Sequence, residues 1–146
     1  MLDVIFREYD IRGLYDKELN EKSVKAIGFC LGGDELFAYL VSGLNKAGIK
    51  VYDIGLVPTP LGYFSLYEGL QFDANIMITG SHNPKDYNGF KITIGKESFF
   101  GAELKEFSKE VYRHLDDEIP QDLRAEKYDI LSLYLGIWQI LIMNLL

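Results

Sequence analysis

The spacing of apolar residues along the chain predicts alternating helices and strands. In four stretches the apolar spacing or the capping residues are typical of helices. These stretches are residues 20–31, 34–47, 59–69 and 104–115. Asn20 and Thr59 are the expected N-caps of the first and third helices, and Gly48 is expected in a left-handed conformation after the second. Short apolar or alternating runs, typical of strands, occupy residues 4–6, 50–54, 75–79 and 90–94, and the first of them is expected to lead into a polar loop over residues 7–13. Because helices and strands alternate, the pattern indicates an α/β domain in which helices flank a layered, mixed and mostly parallel sheet.

Two stretches depart from this alternation. Gly32 and Gly33 alone join the first two predicted helices, where the alternation calls for a strand. From Ile130 to Leu146 the chain has no charged residue, although charges are frequent before it. We therefore predict a domain over residues 1–129 and an aberrant apolar tail over residues 130–146.

Three interpretations of this tail remain open. It is typical of a shifted reading frame or a truncated gene. As a C-terminal membrane anchor it falls short of the roughly 20 residues that a spanning helix needs, and no basic residue follows it. An exposed apolar tail that promotes aggregation is the simpler alternative.

The composition narrows the functions that the chain can have. The hydrophobic fraction of 48% and the charged fraction of 25% are those of a globular domain. A formal net charge of -7 argues against nucleic-acid binding, and local cations must hold any anionic substrate. Cys30 is the only cysteine, which excludes an internal disulfide and a thiolate metal site. Since the N-terminus lacks the pattern of a secretory signal, we expect a cytoplasmic protein.

The residues best suited to chemistry follow the apolar strand at residues 75–79. Ligands of open α/β sheets bind beyond the carboxyl ends of the strands, and the loop from Thr79 to Pro84 lies there. Ser81 is a candidate nucleophile or phosphate carrier, with His82 as an adjacent polar partner. The structural alternative is a capped turn without chemistry.

The next strand brings a cation towards this loop. Asn88 and Gly89 predict a tight turn, after which Lys91 alternates with apolar neighbours. Lys91 is therefore expected near the far end of the loop that holds Ser81. Its alternative is a solvated strand lysine.

Three segments resemble motifs of the α-D-phosphohexomutase superfamily, in its phosphomannomutase/phosphoglucomutase branch. Phe6 to Gly13 resembles the opening motif, Gly55 to Pro60 a middle segment, and Thr79 to Ile92 the active-serine signature. Three motifs in the right order make the resemblance specific. It implies the first of four domains of an intramolecular phosphotransferase, an isomerase that moves a phosphoryl group between C1 and C6 of a hexose.

The resemblance implies catalytic roles for three residues. Ser81 would carry the phosphoryl group, give it to the substrate and take it back through a bisphosphorylated sugar. Lys91 matches a position implicated in proton transfer or phosphate contact. Arg12 matches an arginine whose planar guanidinium holds two phosphate oxygens at once.

Substrate and metal contacts are also implied by the resemblance. Tyr9 matches a substrate-proximal aromatic residue, with a packed strand-end tyrosine as the alternative, and His82 and Asn83 match positions that shape the serine loop. The implied cofactor is Mg²⁺, bound here only through the phosphoryl group on Ser81. The other metal ligands belong to later domains of the family.

This chain departs from the family in ways that affect the predicted function. The family has a parallel strand where Gly32 and Gly33 stand, so we predict a sheet that lacks one central strand and a chain that folds poorly. The leading hypothesis is a fragment of an enzyme acting on hexose phosphates, inactive unless missing domains are supplied in trans. The alternatives are a non-catalytic phosphosugar-binding module and a non-functional degenerate gene product.

Overall fold

A computed structural model describes residues 5–6, 11–14, 17–30, 35–67, 72–79 and 87–143. Five helices and six strands lie within these ranges. In chain order they are β1 (Ile11–Leu14), α1 (Glu21–Cys30), α2 (Glu35–Lys46), β2 (Tyr52–Asp53), α3 (Thr59–Phe64), β3 (Ala74–Ile78), β4 (Tyr87–Ile94), β5 (Glu97–Ser98), α4 (Ala102–Arg113), β6 (Glu126–Lys127) and α5 (Ile130–Met143).

The larger sheet is built around β4. This strand pairs antiparallel with β1 on one side, with β3 on the other, and with the short β5 at its end. Ile11 lies opposite Phe90, and Ile76 lies opposite Ile92. The smaller sheet is the parallel pair of β2 and β6. An α/β fold is thus confirmed.

The prediction of a mostly parallel sheet is not confirmed, because three of the four pairings among the described residues are antiparallel. The reason is local: β3 returns into β4 after a short connection, whereas parallel neighbours need a longer crossover.

Three local predictions are wrong. Asn88 and Gly89 do not form a turn but lie in β4, opposite Gly13 and Arg12. Residues 11–13, predicted as part of a loop, form β1 because β4 supplies a hydrogen-bonding partner. The N-cap of α3 is Pro58 and not Thr59, and no side-chain hydrogen bond caps this helix.

Two other helix ends agree with the sequence. The Asn20 side chain caps α1 by accepting a hydrogen bond from the Ser23 amide (3.1 Å), and the Ser23 hydroxyl accepts one from the Asn20 amide (2.9 Å). This reciprocal pair satisfies donors that the first turn leaves open. Gly48, predicted to be left-handed after α2, has a φ of 77°.

The main core fills the space between the larger sheet and the layer of α1, α2 and α4. Ile11, Phe90 and Ile92 project from the sheet into it and are buried. The other face of the sheet carries α3, which packs on β3, and α5 packs in turn on α3. There Phe64 and Tyr134 make an edge-to-face contact with ring centroids 5.0 Å apart.

Helix α5 begins at a cap and is docked at its first residue. The Asp129 carboxylate accepts hydrogen bonds from the amide (3.0 Å) and hydroxyl (2.6 Å) of Ser132, and these bonds lower the pKa of Asp129. Ile130 is buried, whereas Leu131 and Leu135 are exposed. Within the described residues, no helix has both the length and the apolar character needed to cross a membrane. The proposed division of the chain at residue 130 stays a prediction.

Ser42 connects α2 to the segment that leads into β6. Its buried hydroxyl accepts a hydrogen bond from the Asp122 amide (2.9 Å) and donates one to the Ala38 carbonyl oxygen (2.7 Å). Asn45 on the same helix donates to the carbonyl oxygens of Asp122 and Arg124, each at 3.1 Å. The end of α2 therefore holds β6 beside β2.

We expect Ser42→Ala to lower the free energy of unfolding by about 1–2 kcal/mol, because it removes the acceptor of the Asp122 amide. Urea denaturation followed by circular dichroism measures this change. Ser98→Ala, at an exposed position in β5, is the matched control and should alter the free energy of unfolding by less than about 0.5 kcal/mol. Equal effects of the two substitutions would contradict the prediction.

Candidate functional site

The sheet places Arg12, Gly89 and Thr79 in one row. Arg12 lies opposite Gly89 across the β1–β4 pair, and the Thr79 amide donates a 2.9 Å hydrogen bond to the Gly89 carbonyl oxygen. Directly opposed residues of an antiparallel pair direct their side chains to the same face. Arg12 thus lies on the same row as Thr79, the last residue before the connection over residues 80–86.

Lys91 lies on the same face as Arg12. It stands two positions beyond Gly89 in β4 and opposite Met77 in β3. Diagonal neighbours of this kind are roughly 7–8 Å apart, so both cations are within reach of one phosphate-sized group. Both side chains are half-buried, while Phe90, between Gly89 and Lys91, faces the core. A local pair of cations therefore exists in a chain whose net charge is negative.

The absence of a side chain at Gly89 makes this arrangement possible. A Cβ atom there would lie 2.4 Å from the Ile11 carbonyl oxygen and 3.1 Å from Cγ of Arg12. The Arg12 side chain thus passes close over the backbone of β4. Glycine at this position serves the close packing of two strands, which explains why the Asn-Gly dipeptide does not form a turn here.

A narrow cleft beside Lys91 was not predicted from the sequence. Its other lining residues are Thr59 and Tyr63 from α3, Asn75 and Met77 from β3, and Thr93 from β4. The cleft has essentially no space for a bound molecule, so a sugar would have to lie outside it. In the sequence, only the polar residue Asn75 at the start of β3 indicated this cleft. The nearly continuous apolar run that follows it suggested a strand buried on both faces instead.

Gly62 sets how closely α3 approaches this cleft. A Cβ atom at Gly62 would lie 2.8 Å from Oδ1 of Asn75 and 3.3 Å from Cε of Met77. The helix therefore packs directly on the strand face that carries Lys91.

Four of the predicted site residues lie outside the described ranges. They are Tyr9, Ser81, His82 and Asn83. Their roles stay predictions. The structure brings together Arg12, Lys91 and the two ends of the connection that contains Ser81, namely Thr79 and Tyr87.

The part of the chain that the structure describes offers no metal centre. Within it, no group of three or more histidine, cysteine, aspartate or glutamate side chains could hold a metal ion. Mg²⁺ requires near-octahedral coordination, mostly by oxygen. The described residues therefore do not fit an Mg²⁺ site by themselves.

A wider groove lies away from these motifs, between the end of α2 and the segment at residues 124–126. Lys50 there pairs with Glu126 (3.0 Å), and hydrogen bonds to Tyr52 and Glu126 raise the pKa of Lys50. Arg124 pairs with Asp122 (2.6 Å), which lowers the pKa of Asp122. Because carboxylates neutralise both cations, this groove does not have the character of a phosphate site.

Comparison with known proteins identifies the family. Residues 31–119 match the family model described as phosphoglucomutase/phosphomannomutase, alpha/beta/alpha domain I. The chain therefore belongs to the phosphoglucomutase/phosphomannomutase family through its domain I, as the sequence motifs indicated. The matched residues include Ser81 and Lys91 and begin after Arg12 and Tyr9.

Individual relatives agree with this assignment. The chain is 38% identical over 123 residues to a phosphomannomutase/phosphoglucomutase of Pseudomonas syringae pv. tomato, covering 70% of this chain and 26% of the relative. It is 35% identical over 122 residues to a phosphoglucomutase of Neisseria gonorrhoeae, with the same coverage of 70% and 26%.

A solved structure also matches the fold. The crystal structure of a phosphoglucomutase/phosphomannomutase family protein from Burkholderia thailandensis superimposes with a TM-score of 0.74 at 34% identity. The match covers 90% of this chain and 34% of that one. The chain thus spans about a quarter to a third of the length of the relatives it matches.

We expect Gly89→Ala to lower the free energy of unfolding by about 1–3 kcal/mol, because the new methyl group would overlap the Ile11 carbonyl oxygen. Chemical denaturation measures the change. Gly136→Ala in α5 is the matched control, since a Cβ there meets no atom within 4 Å and alanine favours a helix. Unchanged stability of Gly89→Ala would show that β1 and β4 do not pack this closely.

Proposed function

We propose that this chain acts as the phosphoserine-bearing first domain of a phosphohexomutase, which interconverts hexose 1-phosphate and hexose 6-phosphate. The observation that carries the proposal is the position of Arg12 and Lys91 on one face of the sheet, beside Thr79 at the start of the connection that holds Ser81. Family membership and the names of the relatives support it.

In the proposed reaction the phosphoryl group moves twice. A free hydroxyl of the hexose monophosphate attacks the phosphorus on Ser81 and loses its proton, the bond from phosphorus to Oγ breaks, Oγ gains a proton, and a hexose bisphosphate forms. Oγ of Ser81 then loses this proton and takes the other phosphoryl group, and the sugar oxygen that is released gains a proton, which leaves the isomeric monophosphate. Arg12 holds phosphate oxygens through its planar guanidinium, and Lys91 exchanges the hydroxyl proton or contacts the phosphate. Fixed cations suit this chemistry because phosphoryl transfer depends on positioning and charge neutralisation.

The remaining predicted residues have supporting roles in this proposal. His82 and Asn83 shape the loop around Ser81, and Tyr9 lies against the sugar. When bound, Mg²⁺ would neutralise charge on the phosphoryl group, and the phosphoryl group on Ser81 would supply one of its ligands. The other ligands would come from outside the described residues, among which no group of three or more histidine, cysteine, aspartate or glutamate side chains could hold a metal ion.

We further propose that residues 1–146 do not catalyse the interconversion by themselves and act, in the cytoplasm, together with the remaining domains of a mutase. The support is that they match 26% of the length of two mutase relatives and that the described residues among them offer no group able to hold a metal ion. Recognition of the hexose and completion of the metal site then fall to the rest of the enzyme. A soluble hexose phosphate is the proposed substrate, and neither nucleic acid nor a membrane is a proposed partner.

At the level of the fold, we propose that one central strand is absent between α1 and α2. Four residues, 31–34, separate these two helices. A strand with a connection at each end needs more residues than this. The apolar stretch from residue 130 is proposed to be a departure from the family, although its first residue is docked.

Phosphorylation of Ser81 tests the proposed function. The chain is mixed with hexose 1,6-bisphosphate, Mg²⁺ and the separately expressed remaining domains of the Pseudomonas syringae relative, and phosphoserine is located by mass spectrometry. We expect one phosphoryl group on Ser81. The hexose phosphates should be interconverted only when the chain and the remaining domains are both present. With Ser81→Ala, we expect neither the phosphorylation nor the interconversion.

Two lysine variants make this test specific. Lys91→Gln should slow phosphorylation by at least about tenfold, because a charge beside the transferring group is lost. Lys105→Gln, at an exposed position on α4, should leave the rate unchanged. Phosphorylation of Ser81→Ala, or equal rates in the two lysine variants, would contradict the proposed roles.

A further inference from the structure

Strand β3 has one edge that no described strand covers. The Asp73 carbonyl oxygen accepts from the Gly95 amide (2.7 Å), and the Thr79 amide donates to the Gly89 carbonyl oxygen (2.9 Å). Alternate residues of a strand direct their backbone groups to the same side, so odd-numbered residues face β4. Ala74, Ile76 and Ile78 consequently direct their amide and carbonyl groups to the other edge.

Strand β2 has a comparable edge. The Glu126 amide donates to the Val51 carbonyl oxygen (3.0 Å), and the Tyr128 amide donates to the Asp53 carbonyl oxygen (2.8 Å). Residues 51 and 53 thus face β6, and Tyr52 directs its backbone groups to the opposite edge. Among the residues that the structure describes, no strand pairs with β2 there.

The two edges belong to neighbouring strands. Val51 of the segment entering β2 and Ile76 and Ile78 of β3 pack against the same buried cluster. The rings of Tyr52 and Phe72, the latter just before β3, lie 4.8 Å apart. Tyr52 of β2 therefore meets the residue two positions before β3, while no backbone ladder joins the two strands among the described residues. Paired strands lie about 4.8 Å apart, and one strand inserted between two others doubles that distance. Contact between β2 and the chain before β3 through large side chains alone fits this larger separation, which leaves room for one more strand.

We propose that this gap binds one extended peptide segment of a second polypeptide, which pairs with the edges of β3 and β2. The segment would be apolar on both faces, because one face meets the buried cluster and the other meets the side that α3 covers. Basic residues at its ends would favour the encounter with a chain of net charge -7. A second copy of this chain is the poorer occupant, since the edges of its own β3 and β2 belong to strands packed in a folded domain, which cannot enter a gap one strand wide.

This binding mode is β-augmentation, in which backbone hydrogen bonds supply affinity and alternate side chains supply specificity. It rests on the proposed absence of a central strand and is independent of phosphoryl transfer. A negative result in the Ser81 experiment would therefore not contradict peptide binding at this gap. A negative result in the peptide experiment would not contradict the proposed role of Ser81.

Amide exchange on the full chain tests the proposal. The probe is the blocked peptide Lys-Val-Ile-Val-Ile-Val-Lys, and the control peptide has proline at its central position, which removes a backbone donor and disfavours pairing. Exchange is followed by NMR residue by residue. We expect the valine peptide to slow exchange of the Ile76 and Ile78 amides by at least about tenfold, with little change for Met77, which already faces β4.

A chain variant localises the binding. Ala74→Pro removes one amide from the uncovered edge of β3 at an exposed position, and proline is tolerated on edge strands. It should weaken peptide binding by roughly three- to tenfold, which corresponds to one hydrogen bond. Circular dichroism checks that the variant keeps the fold of the parent chain.

Four results would overturn the proposal. The first is unchanged exchange of the Ile76 and Ile78 amides with saturating valine peptide, and the second is equal protection of these amides by the proline peptide. The third is protection that grows with the concentration of the chain when no peptide is present. The fourth is a chain that stays unfolded with and without the peptide. The third result would place a second copy of the chain on the edge. Conversion of an unfolded chain to a cooperatively melting one by the valine peptide alone would support the proposal.

Discussion

The close pairing of β4 with β1 and β3 is the constraint on which the rest of the structure depends. Every strand of the larger sheet hydrogen-bonds to β4, and its apolar positions form one wall of the core. Gly89 lets β1 approach so closely that a methyl group would overlap a backbone oxygen. The same register that buries Ile11 opposite Phe90 places Arg12 and Lys91 together on the other face.

Much of the fold could be predicted because its signals are local. The apolar spacing of α1, α2 and α4 and the Asn20 cap lie within single segments, and the structure agrees with them. The errors fall where a distant segment decides the outcome. Asn88 and Gly89 favour a turn in isolation, yet β1 recruits them into a strand, and β1 itself is too short and polar to be predicted without its partner.

The sequence was sufficient to predict which residues belong to the candidate site, but not how they are arranged in space. The motifs singled out Ser81, Lys91 and Arg12, and alternation indicated the face that Lys91 would occupy. The register that brings Arg12 alongside required two strands far apart in sequence to meet, which no spacing within one segment encodes. Asn75 and Tyr63 were missed because the wall they form with Lys91 exists only after α3 packs on β3.

The division of the strands into two sheets has a consequence for how the domain loosens. No backbone ladder joins the described strands β2 and β6 to the larger sheet; side-chain packing and the bonds that Ser42 and Asn45 make to the chain before β6 hold them. The β2–β6 pair can therefore open while every hydrogen bond of β4 stays intact. The domain is then expected to have two units of local stability, of which the smaller should open first under mild heating or dilute denaturant.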